Sequence, residues 1–151
     1  MYDRMRQFNK KIGILGGVGP LASAHALLKI VQYAQQIYGA VEDTDYPEIF
    51  LRSVFFQGFG KKGIEDKSLI KDKLFNEFSK FSEEGVEVAL IACNSLHSFY
   101  TELQILNPNI KIINLPQEGA EEIACRKYKR IAVLGSESSR YDHLHKQALE
   151  P

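Results

Sequence analysis

The chain has no net charge, only two cysteines, and no apolar run near the length of a membrane span. Nineteen lysines and arginines balance nineteen aspartates and glutamates, which removes the electrostatic case for nucleic acid or an anionic membrane as partner. A small or neutral partner is expected instead. Cys93 and Cys125 stand 32 positions apart, a spacing that fits neither a disulfide framework nor a zinc site, so both are expected as reduced thiols. The opening MYDRMRQFNKK is charged and lacks the apolar centre of a secretory signal. No stretch approaches the ~20 apolar residues that cross a bilayer. A cytoplasmic protein with no membrane partner is the expectation, and 151 residues suffice for one ordinary domain with a real core.

What is present is an alternation of short apolar runs with helical patterns. Residues 11–16 (KIGILG) predict a strand, and residues 21–38 a helix with Ala24, Leu27, Leu28, Val31 and Ala34 on one face. A second strand is expected over 48–54. Ile70, Leu74, Phe78 and Phe81 then mark an amphipathic helix stopped near Gly85, and 86–92 reads as a third strand covered on both faces. After a helix beginning near Ser95, the breaker cluster Asn107-Pro108-Asn109 leads to a strand over 110–114, a helix over 117–127 and a strand over 130–134. Residues 136–140 read as a loop, and a further helix opens at 141. This order predicts an α/β fold with a doubly wound parallel sheet.

Within that pattern Cys93 falls where a buried strand runs into a helix. In open α/β sheets the carboxyl edge of the strands is where ligands bind, and the unpaired N–H groups of a following helix favour both a substrate carboxylate and a thiolate of lowered pKa. The polar neighbours Asn94, Ser95 and His97 follow directly on a nearly apolar run, which argues for a nucleophile or proton-transfer base over a core filler.

A second ligand-facing loop is expected at Gly16-Gly17-Val18-Gly19-Pro20, the first strand-to-helix turn. Glycine lets the main chain approach a ligand, and proline at a helix's first position lacks an N–H where none is needed. The loop is neither the G-x-G-x-x-G dinucleotide fingerprint nor a P-loop. Ser53 closes the second strand at the same sheet edge, so a small-carboxylate pocket is expected among these segments.

Taken together, IGILGGVGPLA, ACNSLHSFY, INLPQE and VLGSESSRYDHL resemble the aspartate/glutamate racemase family from about residue 11 to the C-terminus. The resemblance implies a two-lobed racemase-like fold, the first lobe over 11–107 and the start of the second over 108–151. It also implies a cofactor-independent amino-acid racemase in which two cysteines face the substrate's α-carbon from opposite sides. Cys93 matches the first of these. Asn94 and Ser95 match the positions that hold the substrate carboxylate, Gly17, Val18 and Gly19 match the pocket wall, and Ser136 and Ser138 fall in the second-half substrate loop. The incomplete second lobe implies an uncovered sheet edge, and with it a homo-oligomer.

Two departures accompany the resemblance. The family's N-x-P-x-I-P-D-R segment supplies an arginine for a distal carboxylate, whereas this chain has SVFFQGFGKK with Lys61 and Lys62 at its end. A flexible ammonium does not reproduce a bidentate guanidinium. The family's second cysteine, in a G-C-T-E-like box, falls beyond position 151. Cys125 lies in a helix whose apolar face is Ala120, Ile123, Ala124 and Tyr128 and is expected to be structural. Three readings stay open: a racemase or a fragment of one, a related thiol-dependent isomerase or decarboxylase of small dicarboxylates, and an inactive small-carboxylate-binding fragment. His97 stands where it can orient the thiolate, His25 lies within the first helix, and His143 and His145 sit at a spacing that points helical rings apart, so no metal is expected.

Overall fold

A computed structural model describes residues 10–150, except for the side chains of Ser138 and Tyr141. The charged N-terminal segment through Asn9 and Pro151 lie outside the described residues. Strand β1 (Ile12–Gly16) is buried along almost its whole length and forms the middle of the sheet. It pairs in parallel with β2 (Ile49–Ser53) on one side and with β5 (Val88–Ile91) on the other, and β5 pairs with β6 (Lys111–Ile113). The four-stranded order is β2-β1-β5-β6. Every pairing is parallel, as the alternation of strands with helices predicts. Strand β6, placed in the second lobe by the resemblance, belongs to this same sheet.

The segment after β2 folds into a small antiparallel hairpin of β3 (Phe59–Gly60) and β4 (Gly63–Ile64), with Lys61 and Lys62 exposed at its two-residue turn. Helix α1 (Pro20–Tyr38) begins with proline and ends at Gly39, whose φ of 68° is open to glycine at little cost. Helix α2 (Lys67–Glu83) is capped by Asp66, whose side chain accepts from the N–H groups of Ser68 and Leu69. Gly85 follows with φ 73°, the stop expected from sequence. A 3-10 turn (Asn94–Phe99) runs into α3 (Tyr100–Leu106), and α4 (Leu115–Cys125) starts from an Asn114 cap. Two short helices close the described chain, α5 (Glu137–Tyr141) and α6 (Leu144–Leu149).

The core lies mainly on one side of the sheet. Ile70, Leu74, Phe78 and Phe81 of α2, spaced at helical period as expected, pack with Leu15, Ala89, Ile91, Leu103 and Ile112. The rings of Phe78 and Phe81 meet edge to face, 5.7 Å between centroids. Helix α1 covers the other side against β1 and β2. Its buried stripe is narrower than predicted: Ala34 is buried, Leu27 and Val31 are half-buried, and Ala24 and Leu28 are exposed.

One expected element is absent. Residues 130–134 carry a strand pattern but run as irregular chain, with Ile131, Val133 and Leu134 exposed. A strand exists only where a neighbour completes its N–H and C=O ladder, and the sheet of the described residues ends at β6.

Candidate functional site

Because the four strands are parallel, their carboxyl ends share one edge, and the segments singled out from sequence gather there. The β1–α1 turn contains Gly17 with φ 106° and Gly19 with φ 78°. A Cβ on Gly17 would come 1.8 Å from the Val54 carbonyl oxygen, so the two loops touch backbone to backbone. The Val54 N–H donates to the Gly16 carbonyl at 3.1 Å. Ser53 stands opposite Gly16 in register. The Ala92 N–H donates to the Leu15 carbonyl at 2.8 Å, which ties the end of β5 to β1.

Cys93 is half-buried and occupies the position just before the 3-10 turn, in extended conformation. The backbone N–H groups of Ser95 and Leu96 lie on the sulfur's side of the turn, without a side-chain cap from Cys93. The lowered pKa expected from this geometry is not what results. Burial pushes the Cys93 thiol above the ordinary cysteine value, and the two N–H groups offset only part of that cost. Two amide dipoles are weaker than the loss of bulk water around a thiolate.

Cys93 and Asn94 line a cleft of about 460 Å³ with Leu90, Ala92 and Leu115. Its opposite wall is α1, through Ala22, His25, Ala26 and Lys29. These four residues recur at helical spacing, on the open part of α1. The sequence places His25 within the first helix and gives Lys29 no local mark. The i, i+3, i+4, i+7 pattern was visible in sequence, but nothing local indicated that this face turns toward the end of β5.

The other expected site residues are not part of this cleft's lining. Val18 packs against the same core cluster as Cys93. Ser95 is buried, with its hydroxyl 2.8 Å from that of Ser136, and Ser136 in turn meets Ser139 at 3.0 Å. Ser139, which sequence reasoning passed over, is buried as well. The side chain of Ser138 lies outside the described residues. Cys125 is exposed at the end of α4 and does not line the cleft.

His143 and His145 differ from expectation. His143 sits in a left-handed conformation ahead of α6, not on a helix, and both histidines line one cavity of about 800 Å³ beside Val133 and Leu134. Among the described residues no group of three or more potential ligands gathers that could hold a metal ion.

The architecture defines a class, a doubly wound parallel α/β protein with a thiol and a glycine turn at the carboxyl edge of its sheet. Comparison with known proteins takes the assignment further. The Asp/Glu/Hydantoin racemase family model matches residues 15–150, and the chain belongs to that family. It is 28% identical over 139 residues to the broad specificity amino-acid racemase RacX of Bacillus subtilis (strain 168). That alignment covers 92% of this chain and 60% of the relative. Among solved structures it resembles PH1733, an aspartate racemase homologue from Pyrococcus horikoshii OT3, with a TM-score of 0.74 and 26% identity over 93% of this chain and 60% of that one. Picrophilus torridus aspartate racemase shares the fold, with a TM-score of 0.70 at 18% identity over 93% of this chain and 58% of its own. The chain thus spans about 60% of the length of these relatives.

Proposed function

We propose that this chain carries one acid/base half of a cofactor-independent amino-acid racemase, with Cys93 as the group that exchanges the substrate's α-proton. The observation that carries the reading is the place of Cys93, directly after β5 at the carboxyl edge of the sheet and in the lining of a cleft large enough for an amino acid. Membership of the racemase family and the likeness to the broad specificity amino-acid racemase of Bacillus subtilis support it. In this scheme the Asn94 side chain and the N–H groups of the Cys93 turn receive the α-carboxylate. Lys29 adds positive charge on the α1 wall, while the Gly17–Gly19 turn, Ser53 and the Ser136–Ser138 segment border the site. The thiolate form of Cys93 takes the α-proton, leaving a carbanion and a protonated thiol; the thiol exchanges its proton with solvent and returns one to the same face, which restores the thiolate. The raised pKa makes the thiolate the minor form and favours the returning step.

A single thiol serves one face of the α-carbon. Cys125 lies outside the cleft, so the chain is expected to exchange the α-proton with retention of configuration. Incubation of each enantiomer of aspartate, glutamate and alanine in D2O, followed by mass and chiral analysis, tests this. Deuterium uptake lost in Cys93→Ala and kept in Cys125→Ala supports the reading. Uptake that survives Cys93→Ala, or none with any amino acid, refutes it, and CO2 release from a dicarboxylate points to a thiol-dependent decarboxylase instead.

A further inference from the structure

Beside Cys93 lies a buried titratable side chain that this proton transfer does not use. His97 is 4% exposed and lies on the 3-10 turn that follows Cys93. Its Nδ1 stands 2.9 Å from the Cys93 carbonyl oxygen. A carbonyl only accepts, so Nδ1 carries the proton. In a neutral ring Nε2 is then an acceptor, and the Leu115 N–H donates to it at 3.2 Å. The Ile113 carbonyl oxygen lies 3.3 Å from the same Nε2 and needs a donor there, which the neutral ring does not provide. Leu115 and Cys93 both line the cleft.

We propose that His97 is a positioning residue which, neutral and protonated at Nδ1, holds the Cys93 turn and the first residue of α4 at a set separation and so shapes the cleft containing the thiol. The inference goes beyond the racemase reading and rests on backbone geometry, so it stands or falls whether or not Cys93 moves a proton. Protonation of Nε2 reverses the ring's demand: the Leu115 bond is lost, and the Ile113 carbonyl becomes the partner. The titratable groups around the ring are Cys93 on its own turn, Tyr100 on α3 and His145 on α6. Burial pushes His97 below the usual histidine value, the carbonyl contacts offset part of this, and His145 adds to the lowering. The neutral ring is therefore the resident form at neutral pH.

Nitrogen-15 NMR of the imidazoles in the unmodified chain tests the tautomer directly. At pH 7.5 the expected His97 signature is a protonated Nδ1 and a bare Nε2, persisting as pH falls through the range where an unperturbed histidine titrates. Amide exchange, expressed as protection over the intrinsic rate, tests the coupling. His97→Asn keeps a donor near the Nδ1 position and removes the acceptor, so Leu115 protection is expected to fall about tenfold, the worth of one hydrogen bond. The Ile112 amide, bonded to Gln104 Oε1 at 3.1 Å, should keep its protection. In the wild type, acidification through the His97 titration should reproduce the Leu115 loss. A ring protonated at Nε2 at pH 7.5, or Leu115 protection that stays constant or falls together with that of Ile112, overturns the proposal. If His97→Asn does not fold, the wild-type titration decides alone.

Discussion

The hydroxyls of Ser95 and Ser136 lie 2.8 Å apart, although 41 positions separate them in the chain. Ser95 belongs to the turn that presents Cys93, and Ser136 follows the irregular segment 130–135. Their contact, extended by Ser139, holds the start of α5 against the Cys93 turn. The segment that resembles a second-half substrate loop is thereby anchored to Ser95 of that turn.

The β1–α1 turn offers a paired test of backbone demands. Gly17→Ala meets both a φ of 106° and the Val54 backbone at 1.8 Å, whereas Gly19→Ala meets a φ of 78° and open space. Urea unfolding is expected to show a loss of about 1 kcal/mol for Gly19→Ala, the cost of the left-handed region to an L-residue. Gly17→Ala should cost several times as much, or prevent folding. Equal losses would show that the Val54 contact relaxes freely.

Glu77 of α2 is 0% exposed and carries three cations, with Arg52 Nε at 2.6 Å and the ammonium groups of Lys73 and Lys80 at 2.9 Å. Burial alone would raise its pKa, but hydrogen bonds from Arg52, Lys80 and Lys73 hold it at about 2. A depressed carboxylate stabilises the fold above its unfolded pKa, so this contribution is complete above about pH 4.5 and is lost as pH falls toward 2. Glu77→Gln, which leaves the cations without a counter-charge, is expected to cost about 3 kcal/mol at pH 7. The variant should also lack most of the wild-type acid transition, as read by denaturant titration across pH.

Iodoacetamide should modify Cys125 before Cys93. The first thiol is exposed and the second is half-buried with a raised pKa, which lowers its thiolate fraction at pH 7.5. Peptide mapping by mass spectrometry is expected to show Cys93 modified more slowly than Cys125. Faster reaction at Cys93 would mean that the turn's N–H groups outweigh burial.

Residues 131–134 should drive association. Ile131, Val133 and Leu134 are 44%, 49% and 93% exposed on a segment with strand chemistry and no strand beside it among the described residues. Leu134→Lys is expected to leave unfolding free energy within about 0.5 kcal/mol of the wild type, as exposed positions do. In sedimentation velocity it should reduce the concentration-dependent self-association of the parent chain. A parent chain that stays monomeric at high concentration would remove this role.

Much of the fold follows from local pattern. The buried run ending before Cys93, the Ile70, Leu74, Phe78, Phe81 stripe, the stop at Gly85 and the glycine turn before Pro20 each depend on residues within a few positions of one another. Strand and helix periodicity is itself a property of neighbours, and so the order of elements, the parallel sheet and the edge on which Cys93 lies could be read directly. The family resemblance rests on the same segments.

Four features depended on residues far apart in the chain. The strand pattern at 130–134 remains irregular because a ladder needs a partner, which no local pattern supplies. Cys93 has a raised pKa because burial is set by everything packed around the thiol, whereas the helix-start argument counts only the next few amides. The α1 wall of the cleft, with His25 and Lys29, and the bridge from His97 to Leu115 arise only once β1, β5 and β6 are aligned. The sequence alone determined which groups are present and which strand end carries them; which groups meet, and at what cost in solvation, was decided by tertiary packing, because hydrogen-bond partners and exclusion of water are set by contacts across the fold.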